Sequence, residues 1–320
     1  PYPVWVSEVM LQQTRVETAT PYFERFMMAL PSVEALASAE LETVLSLWSG
    51  LGYYQRARRL YAAARRIVEE GGEFPTTVEG WRQLPGVGAY TASAIASIVH
   101  GIPEPAIDGN VIRVVARLLA LEEDPKRRSG SKAVEVKARA LLDPKRPGDS
   151  NQAMMELGAT ICRPRQPKCP ICPFAQGCRA ASTADPERYP ISGRRPEIRR
   201  ERRQVALVTS GKKLLLFRRP EESRRMAGLW ELPWVDGVVE ENPAESFEKR
   251  YGGHWQVGES RGRVRHSVTD RLFEIDVVEA RLTSNEEVAE GPAAGWFTRS
   301  ELNQVPTTGL VDKVLGALDD

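Results

Sequence analysis

Leu84-Pro85-Gly86-Val87-Gly88-Ala89-Tyr90-Thr91-Ala92 lies between a helical stretch and the Ala- and Ser-rich run 91–99, which reads as another helix. Two glycines around an apolar residue let the chain turn tightly with its N–H groups bare, and the following helix adds the positive end of its dipole. Such a hairpin grips a phosphate through its backbone without reading sequence, which suits a protein that scans DNA. For Gly-x-Gly alone an ordinary interhelical turn is the simpler reading; the full Leu-Pro-Gly-Val-Gly pattern is more specific.

Outward from this hairpin, residues 1–160 read as helices, with apolar residues spaced by three and four, Ala-rich stretches such as 61–68, and few β-branched runs. Stops are expected at Pro31, 50–52, 71–72, 85–88 and 101–105. Residues 181–203 are polar, with Pro186, Pro190, Gly193, Pro196 and a dense arginine run, and read as a linker. From Gln204 strands are expected at 205–209, 214–217 and 272–282, with a closing helix at 309–318. The expected organisation is an all-α domain over 1–180, a basic linker over 181–203 and an α+β domain over 204–320.

The 320 residues suit two domains at about 150 residues each. With 42% hydrophobic and 27% charged residues, bulk disorder and collagen-like sequence are excluded. No run approaches the ~18 apolar residues of a membrane span, and no signal peptide opens the sequence, so a cytoplasmic protein without membrane partners is expected. The net charge of +1 hides an asymmetry: residues 1–203 carry 29 Lys and Arg against 23 Asp and Glu, whereas 204–320 carry 15 against 20. A basic front half fits a polyanion-binding domain, although uneven charge on a solvated surface fits too.

All four cysteines, Cys162, Cys169, Cys172 and Cys178, fall within 17 residues as C-x6-C-x2-C-x5-C. A chain that concentrates its thiols in this way is building a soft-metal site, either tetrahedral zinc or a cubane iron–sulfur cluster. Arg163, Arg165, Lys168 and Arg179 would offset the thiolate charge.

The hairpin, an aspartate eighteen residues after Tyr90 and the trailing cysteine loop resemble the helix-hairpin-helix DNA glycosylase superfamily. Val4-Trp5-Val6-Ser7-Glu8-Val9-Met10-Leu11-Gln12-Gln13-Thr14, Gly50-Leu51-Gly52-Tyr53-Tyr54 and Ile107-Asp108-Gly109-Asn110-Val111 narrow the resemblance to the adenine DNA glycosylase (MutY) family over nearly all of 1–180. The family more often has valine where Ile107 stands, and it has a Leu-Pro-Trp-Arg segment upstream that this sequence starts after. The resemblance implies an all-α helix-hairpin-helix glycosylase domain with an iron–sulfur cluster loop, joined by a linker to an α+β Nudix-like domain. It favours a [4Fe-4S] cluster over zinc. The implied activity is base-excision repair of adenine opposite 8-oxoguanine or guanine in double-stranded DNA, by a monomer in the cytoplasm, associated with the nucleoid.

Glycosidic cleavage needs an acid to help the base leave and an anion to stabilise the cationic sugar. Glu8 lies in an apolar stretch, where burial raises a carboxyl pKa; Asp108 precedes Gly109 at the start of an expected helix 110–119, where N–H groups favour the carboxylate. Two carboxylates a hundred residues apart are more often plain surface residues, and Asp108 reads also as a plain helix cap, or as both cap and catalyst. By resemblance Glu8 is the general acid, Asp108 stabilises the oxocarbenium carbon, Asn110 positions the aspartate or a water, and Tyr90 hydrogen-bonds nearby. Related bifunctional enzymes such as endonuclease III have a Schiff-base lysine at the Tyr90 position; a phenol cannot form that imine, so a monofunctional enzyme is implied. Glu156 matches a residue that contacts adenine, or is an exposed helical glutamate. Gln13, Thr14, Leu51 and Tyr53 resemble residues inserted beside the orphaned partner base, with core packing the alternative for Leu51. Gly86, Val87 and Gly88 form the phosphate clamp. Arg56, Arg58, Arg59, Arg65 and Arg66 read as a cationic helix face, for phosphate or for solubility.

Residues 204–320 resemble the Nudix-type domain this family appends. After Gly237, Glu240, Glu241, Glu245 and Glu248 do not make the carboxylate motif of a Nudix hydrolase, so binding without hydrolysis is expected. In the family a Phe-Ser-His loop senses 8-oxoguanine; with His266 as register, Val268-Thr269-Asp270 stands here, so the aromatic and the imidazole are missing and Thr269 alone offers the hydroxyl contact, unless His266 takes the missing role. Two other functions remain open: a thymine-mismatch or pyrimidine-lesion glycosylase of the same superfamily, and a non-catalytic mismatch-binding protein.

Overall fold

Helical apolar spacing winds the front half of the chain into α1 (Tyr2–Met10), α2 (Val16–Ala29), α3 (Val33–Ser38), α4 (Leu41–Leu47), α5 (Gln55–Glu69), α6 (Val78–Arg82), α7 (Ala89–His100), α8 (Gly109–Leu119), α9 (Arg128–Leu141) and α10 (Pro147–Glu156). Each expected stop falls between two of these helices. The computed structural model describes residues 1–183, 185–191, 198–223, 226–237, 242–268, 270–282, 294–302 and 305–319. It forms two compact units: Pro1–Ser38 with Arg59–Arg195, and Ala39–Arg58 with Pro196–Asp320. No helix among the described residues is long and apolar enough to cross a membrane.

In the first unit the buried face of α1 is set by Trp5, Val6, Val9 and Met10. Trp5 meets Phe74 and Trp81 at ring-centroid distances of 6.3 and 6.0 Å, which fixes α1 against the chain leading into the hairpin. α7 is Ala- and Ser-rich because it is buried almost throughout, and small side chains let its neighbours approach. α8 sends Val111 and Val115 toward Val134 and Ala138 of α9, while Val114 and Leu118 face Leu157 and the cysteine loop. α10 runs into a π-turn, Leu157–Ile161, immediately before Cys162.

In the second unit alternation replaces helical spacing. β1 (Arg199–Ser210), β2 (Lys213–Arg218), β3 (Trp230–Glu231), β4 (Trp234–Asp236), β5 (Trp255–Val268), β6 (Arg271–Leu282) and β7 (Ala294–Thr298) make one mixed sheet. Its main path runs β3-β2-β1-β6-β5, with β4 paired to β1 and β7 to β2. β1 and β6 are parallel from Arg199↔Arg271 to Val208↔Ala280. Val205, Ile275 and Val277 pack with Val311 and Val314 of α13 (Gly309–Asp319), which follows the short α12 (Arg299–Leu302). Ala206, Val208, Val278 and Ala280 pack with Phe247 and Tyr251 of α11 (Pro243–Tyr251). A sheet with a helix against each face and two cores is the stable outcome of that alternation.

β1 begins within the arginine-rich stretch. Arg203 is absorbed by stacking 3.8 Å from the Trp234 ring centroid and 4.0 Å from that of Phe273, with a 2.8 Å bond to Asp236. β5 is a strand that no apolar alternation announces.

Candidate active site

Three elements of the first unit bring one acidic centre together. Glu8 lies one turn beyond Trp5 on α1 and is only 7% exposed. Tyr90, in the first turn of α7, donates its hydroxyl to Glu8 Oε2 at 2.8 Å and lies 3.2 Å from Met155 Sδ. Asp108 caps α8: Val111 N–H donates to Oδ1 and Asn110 Nδ2 to Oδ2, both at 2.7 Å. Burial raises the Glu8 carboxyl above its ordinary value; the Tyr90 bond opposes this and the Asp108 charge adds to it. Burial, then the Glu8 charge, holds the Tyr90 hydroxyl high, so it remains a phenol. One carboxyl group is thus biased neutral beside another held by N–H donors, an arrangement able to give a proton on one side and stabilise positive charge on the other.

The loop that presents Asp108 is held by Asn151 of α10, which accepts from Ala106 N–H at 2.9 Å and donates to Glu104 O at 2.9 Å and Ser97 Oγ at 2.8 Å. Arg113, one turn after Asn110, donates to Asn110 Oδ1 (2.8 Å), Gly158 O (2.7 Å) and Cys162 O (2.7 Å). Gly158 is required here: a Cβ would lie 2.5 Å from Asn110 Cβ. The sequence reading singled out none of Met155, Asn151, Arg113 and Gly158. Met155 and Gly158 stand within two residues of Glu156, and Arg113 two residues after the 107–111 motif, whereas nothing in the sequence marks Asn151.

The hairpin turns at Gly86 (φ +81), where a Cβ would fall 2.7 Å from Arg59 Cβ. Val87 is buried and its N–H bonds Leu84 O at 3.1 Å, so the exposed part of the hairpin is Gly86, Gly88 and the start of α7. Gln12 Nε2 donates to Thr91 Oγ1 at 3.1 Å, tying the end of α1 to that same turn. Gln13 follows, exposed and at φ +58; Thr14 Oγ1 lies 3.5 Å from Gln12 O. Glu156 is exposed at the end of α10.

Cys162, Cys169, Cys172 and Cys178 line one small cavity with Arg117 and Ile161. Burial raises the Cys172 thiol, a backbone hydrogen bond at Phe174 opposes it, and the charges of Cys162, Cys178 and Cys169 add to the rise. Arg117, buried on α8, reaches Cys162 Sγ at 3.4 Å and the carbonyls of Arg163 and Pro164 at 2.7 and 2.9 Å. The sequence reading expected only the loop's own cations beside the sulfurs. Among the described residues no three His, Cys, Asp or Glu side chains converge on a single-ion site.

Residues 6–139 match the family model of the HhH-GPD superfamily base excision DNA repair protein, and residues 204–317 that of the NUDIX domain. The chain is 36% identical over 371 residues to the adenine DNA glycosylase of Homo sapiens, a match covering 98% of this chain and 67% of the human protein. The chain belongs to the adenine DNA glycosylase family. The Mus musculus adenine DNA glycosylase is 51% identical over 199 residues, 62% of this chain and 39% of the mouse protein. The chain therefore spans from 39% to 67% of the length of these two relatives. Among solved structures, a thermostable thymine-DNA glycosylase is similar at TM-score 0.52 and 26% identity, covering 57% of this chain and 84% of that one. A trapped endonuclease III–DNA covalent intermediate shares the fold at TM-score 0.50 and 24% identity, covering 56% and 83%.

The remaining residues that family resemblance singled out lie in the second unit. Leu51 is packed inside it, 6% exposed, whereas Tyr53 is 56% exposed and held at φ +51. The expected cationic face is corrected at Arg56 and Arg58. Arg56 turns inward, donating to Leu51 O and Gly52 O at 3.2 and 3.1 Å, and burial lowers its guanidinium to about 10. Arg58 bonds Ala227 O at 2.7 Å and Glu221 at 3.2 Å. Helical spacing alone does not tell a solvated arginine from one that satisfies buried carbonyls. Thr269 lies outside the described residues, as do Glu240 and Glu241; His266 is half-buried on β5, and burial, then Lys313 and Arg203, holds its imidazole low. On α11, Glu248 accepts from Trp255 N–H at 3.1 Å.

Proposed function

We propose that this protein removes adenine mispaired with 8-oxoguanine or guanine in double-stranded DNA, acting as a monofunctional glycosylase. The observation that carries the reading is the buried Glu8 carboxyl, hydrogen-bonded by Tyr90 and close enough to Asp108 to feel its charge. Glu8 donates its proton to a ring nitrogen of the everted adenine, the C–N bond breaks, and its electron pair leaves with the base. Asp108, held by Asn110 and Val111, stabilises the oxocarbenium sugar until water adds. Tyr90 offers no amine, so no imine forms and no strand cleavage follows.

The helix-hairpin-helix backbone at Gly86, Gly88 and α7 grips a phosphate, while Gln13 and Thr14 meet the partner strand and Tyr53 is the wedge that fills the gap beside the orphaned partner base. Gln13 and Tyr53 are each exposed and each held at positive φ, the strained backbone typical of functional contacts. Leu51 takes part as the buried foot of Tyr53's turn, Glu156 contacts the base, and Thr269 contacts the opposite 8-oxoguanine. Such an enzyme works as a monomer on the chromosome, cytoplasmic and associated with the nucleoid.

Cys162, Cys169, Cys172 and Cys178 would hold a [4Fe-4S] cluster, with zinc the alternative. The shared cavity, the mutual influence of the four sulfurs and the Arg117 guanidinium support a group that takes up thiolate charge. Zinc draws its sulfurs to about 2.3 Å around one ion, whereas a cubane spreads them over four irons. When bound, the cluster supplies cross-links that fold residues 162–178 into one loop.

Single-turnover release of free base from duplexes containing A opposite 8-oxoguanine, A opposite G, and T opposite G tests the activity. Adenine release, fastest opposite 8-oxoguanine and abolished in Asp108→Asn with duplex binding kept, is expected. Thymine release without adenine release would move the chain to the thymine-mismatch reading, and binding with no release to a mismatch-binding protein.

A further inference from the structure

The turn that carries Tyr53 is strained and must be held from outside. Gly50, Gly52 and Tyr53 have φ of +92, +75 and +51, three positive values in four residues. A non-glycine residue in that region persists only where its surroundings over-determine it. Local support comes from Trp48 Nε1, which donates to Gly52 O at 3.2 Å, and from Arg56. Two further supports come from far along the chain, within the same compact unit.

Tyr54, the residue after Tyr53, is buried, with its Oη 2.8 Å from Thr307 O and 3.1 Å from Ser49 Oγ. A carbonyl only accepts, so the phenol proton goes to Thr307 and the Ser49 hydroxyl donates to Tyr54. Ser49 and Tyr54 flank the turn, so one phenol closes it at both ends and fastens it to the Nudix-like fold. One turn further along α5, Arg58 donates to Ala227 O at 2.7 Å and pairs with Glu221 at 3.2 Å. The two receiving segments are themselves joined, by Trp230 N–H to Pro306 O and Thr308 N–H to Trp230 O, each at 2.9 Å. They form one rim, and the wedge turn has two anchors on it.

We propose that Tyr54 and Arg58 are positioning residues through which the Nudix-like fold sets the Tyr53 wedge, so that base eversion depends on this rim. The inference rests on the wedge role assigned to Tyr53 under the proposed function. If the anchors are cut, the positive-φ turn relaxes and Tyr53 no longer projects at the partner strand. Eversion then fails while the Glu8–Tyr90–Asp108 chemistry stays intact.

The test uses Tyr54→Phe, which keeps the ring, and Arg58→Gln, each checked for an unchanged unfolding midpoint. Eversion is read by fluorescence of 2-aminopurine replacing the target adenine opposite 8-oxoguanine, and chemistry by single-turnover adenine release. Release is compared on a fully stacked duplex and on one whose target adenine is already bulged out. Both variants are expected to lose about tenfold in eversion and in release from the stacked duplex, with the bulged duplex unaffected. Equal loss on both duplexes, or wild-type eversion in both variants, overturns the proposal. Wild-type protein that everts 2-aminopurine but releases no adenine overturns the proposed chemistry and leaves the eversion comparison to decide the anchors. Wild-type protein that does neither overturns both.

Discussion

Glu8 titrates under three competing influences: burial raises its pKa most, the Tyr90 hydroxyl lowers it, and the Asp108 charge raises it again. The net rise keeps the acid form present at higher pH than an ordinary glutamate. Adenine release should therefore hold steady and then fall as pH climbs through the raised Glu8 value. Tyr90→Phe removes the one lowering influence, so that falling limb should move to higher pH; a limb moving lower in single-turnover pH profiles would contradict the assigned balance. Glu8→Gln should cost about 10²–10⁴ in rate and remove the limb. The same linkage has a stability sign: the neutral Glu8 suits the fold, so its contribution is present below the unfolded carboxyl value and lost as pH rises through the folded one. Glu8 and Asp108 were legible in the sequence, one by its apolar neighbours and the other by its place before Gly109 at a helix start. Met155 was not, because a methionine on a helix says nothing of which hydroxyl it will touch.

At the scale of elements, the π-turn Leu157–Ile161 joins the acidic centre to the cysteine loop. Arg113 spans the junction, reaching Asn110 on one side and the carbonyls of Gly158 and Cys162 on the other. The close approach at Gly158 lets Asn110 sit where it can hold Asp108. Gly158→Ala should destabilise by about 1–3 kcal/mol in denaturant unfolding, the usual cost of overpacking, and slow adenine release by displacing Asn110. Full stability with full activity would show that the turn accommodates a methyl group. Helix boundaries were readable because proline and glycine interrupt an apolar spacing of three and four. β5 was not. Its arginines, Gly258 and Gly262 hide the alternation, and register shifts at Val257/Ser260 and Ser260/Gly262 break what remains.

At the scale of the molecule, the two units carry different risks. The first closes around a cysteine loop whose residues Cys162, Cys172 and Cys178 pack on Val114, Leu118 and Leu157. With the proposed [4Fe-4S] cluster in place, removing its iron by chelation should lower the first unit's calorimetric transition and bleach the visible absorption, leaving the second unit's transition in place. An unchanged first transition would separate the cluster from the fold. The second unit has no cysteine, and a helix covers each face of its sheet. By itself the sequence determined the helical character of the front half, the alternation of the back half, the glycine turn before α7 and the clustering of four thiols. Each of those is a local pattern, written in neighbouring residues. Only the tertiary structure decided that Tyr90 meets Glu8 across 82 residues, that Arg117 of α8 faces the Cys162 sulfur, and that residues 39–58 fold into the second unit. Those outcomes depend on which buried donors and acceptors find partners once the cores have closed, and no local spacing records that choice.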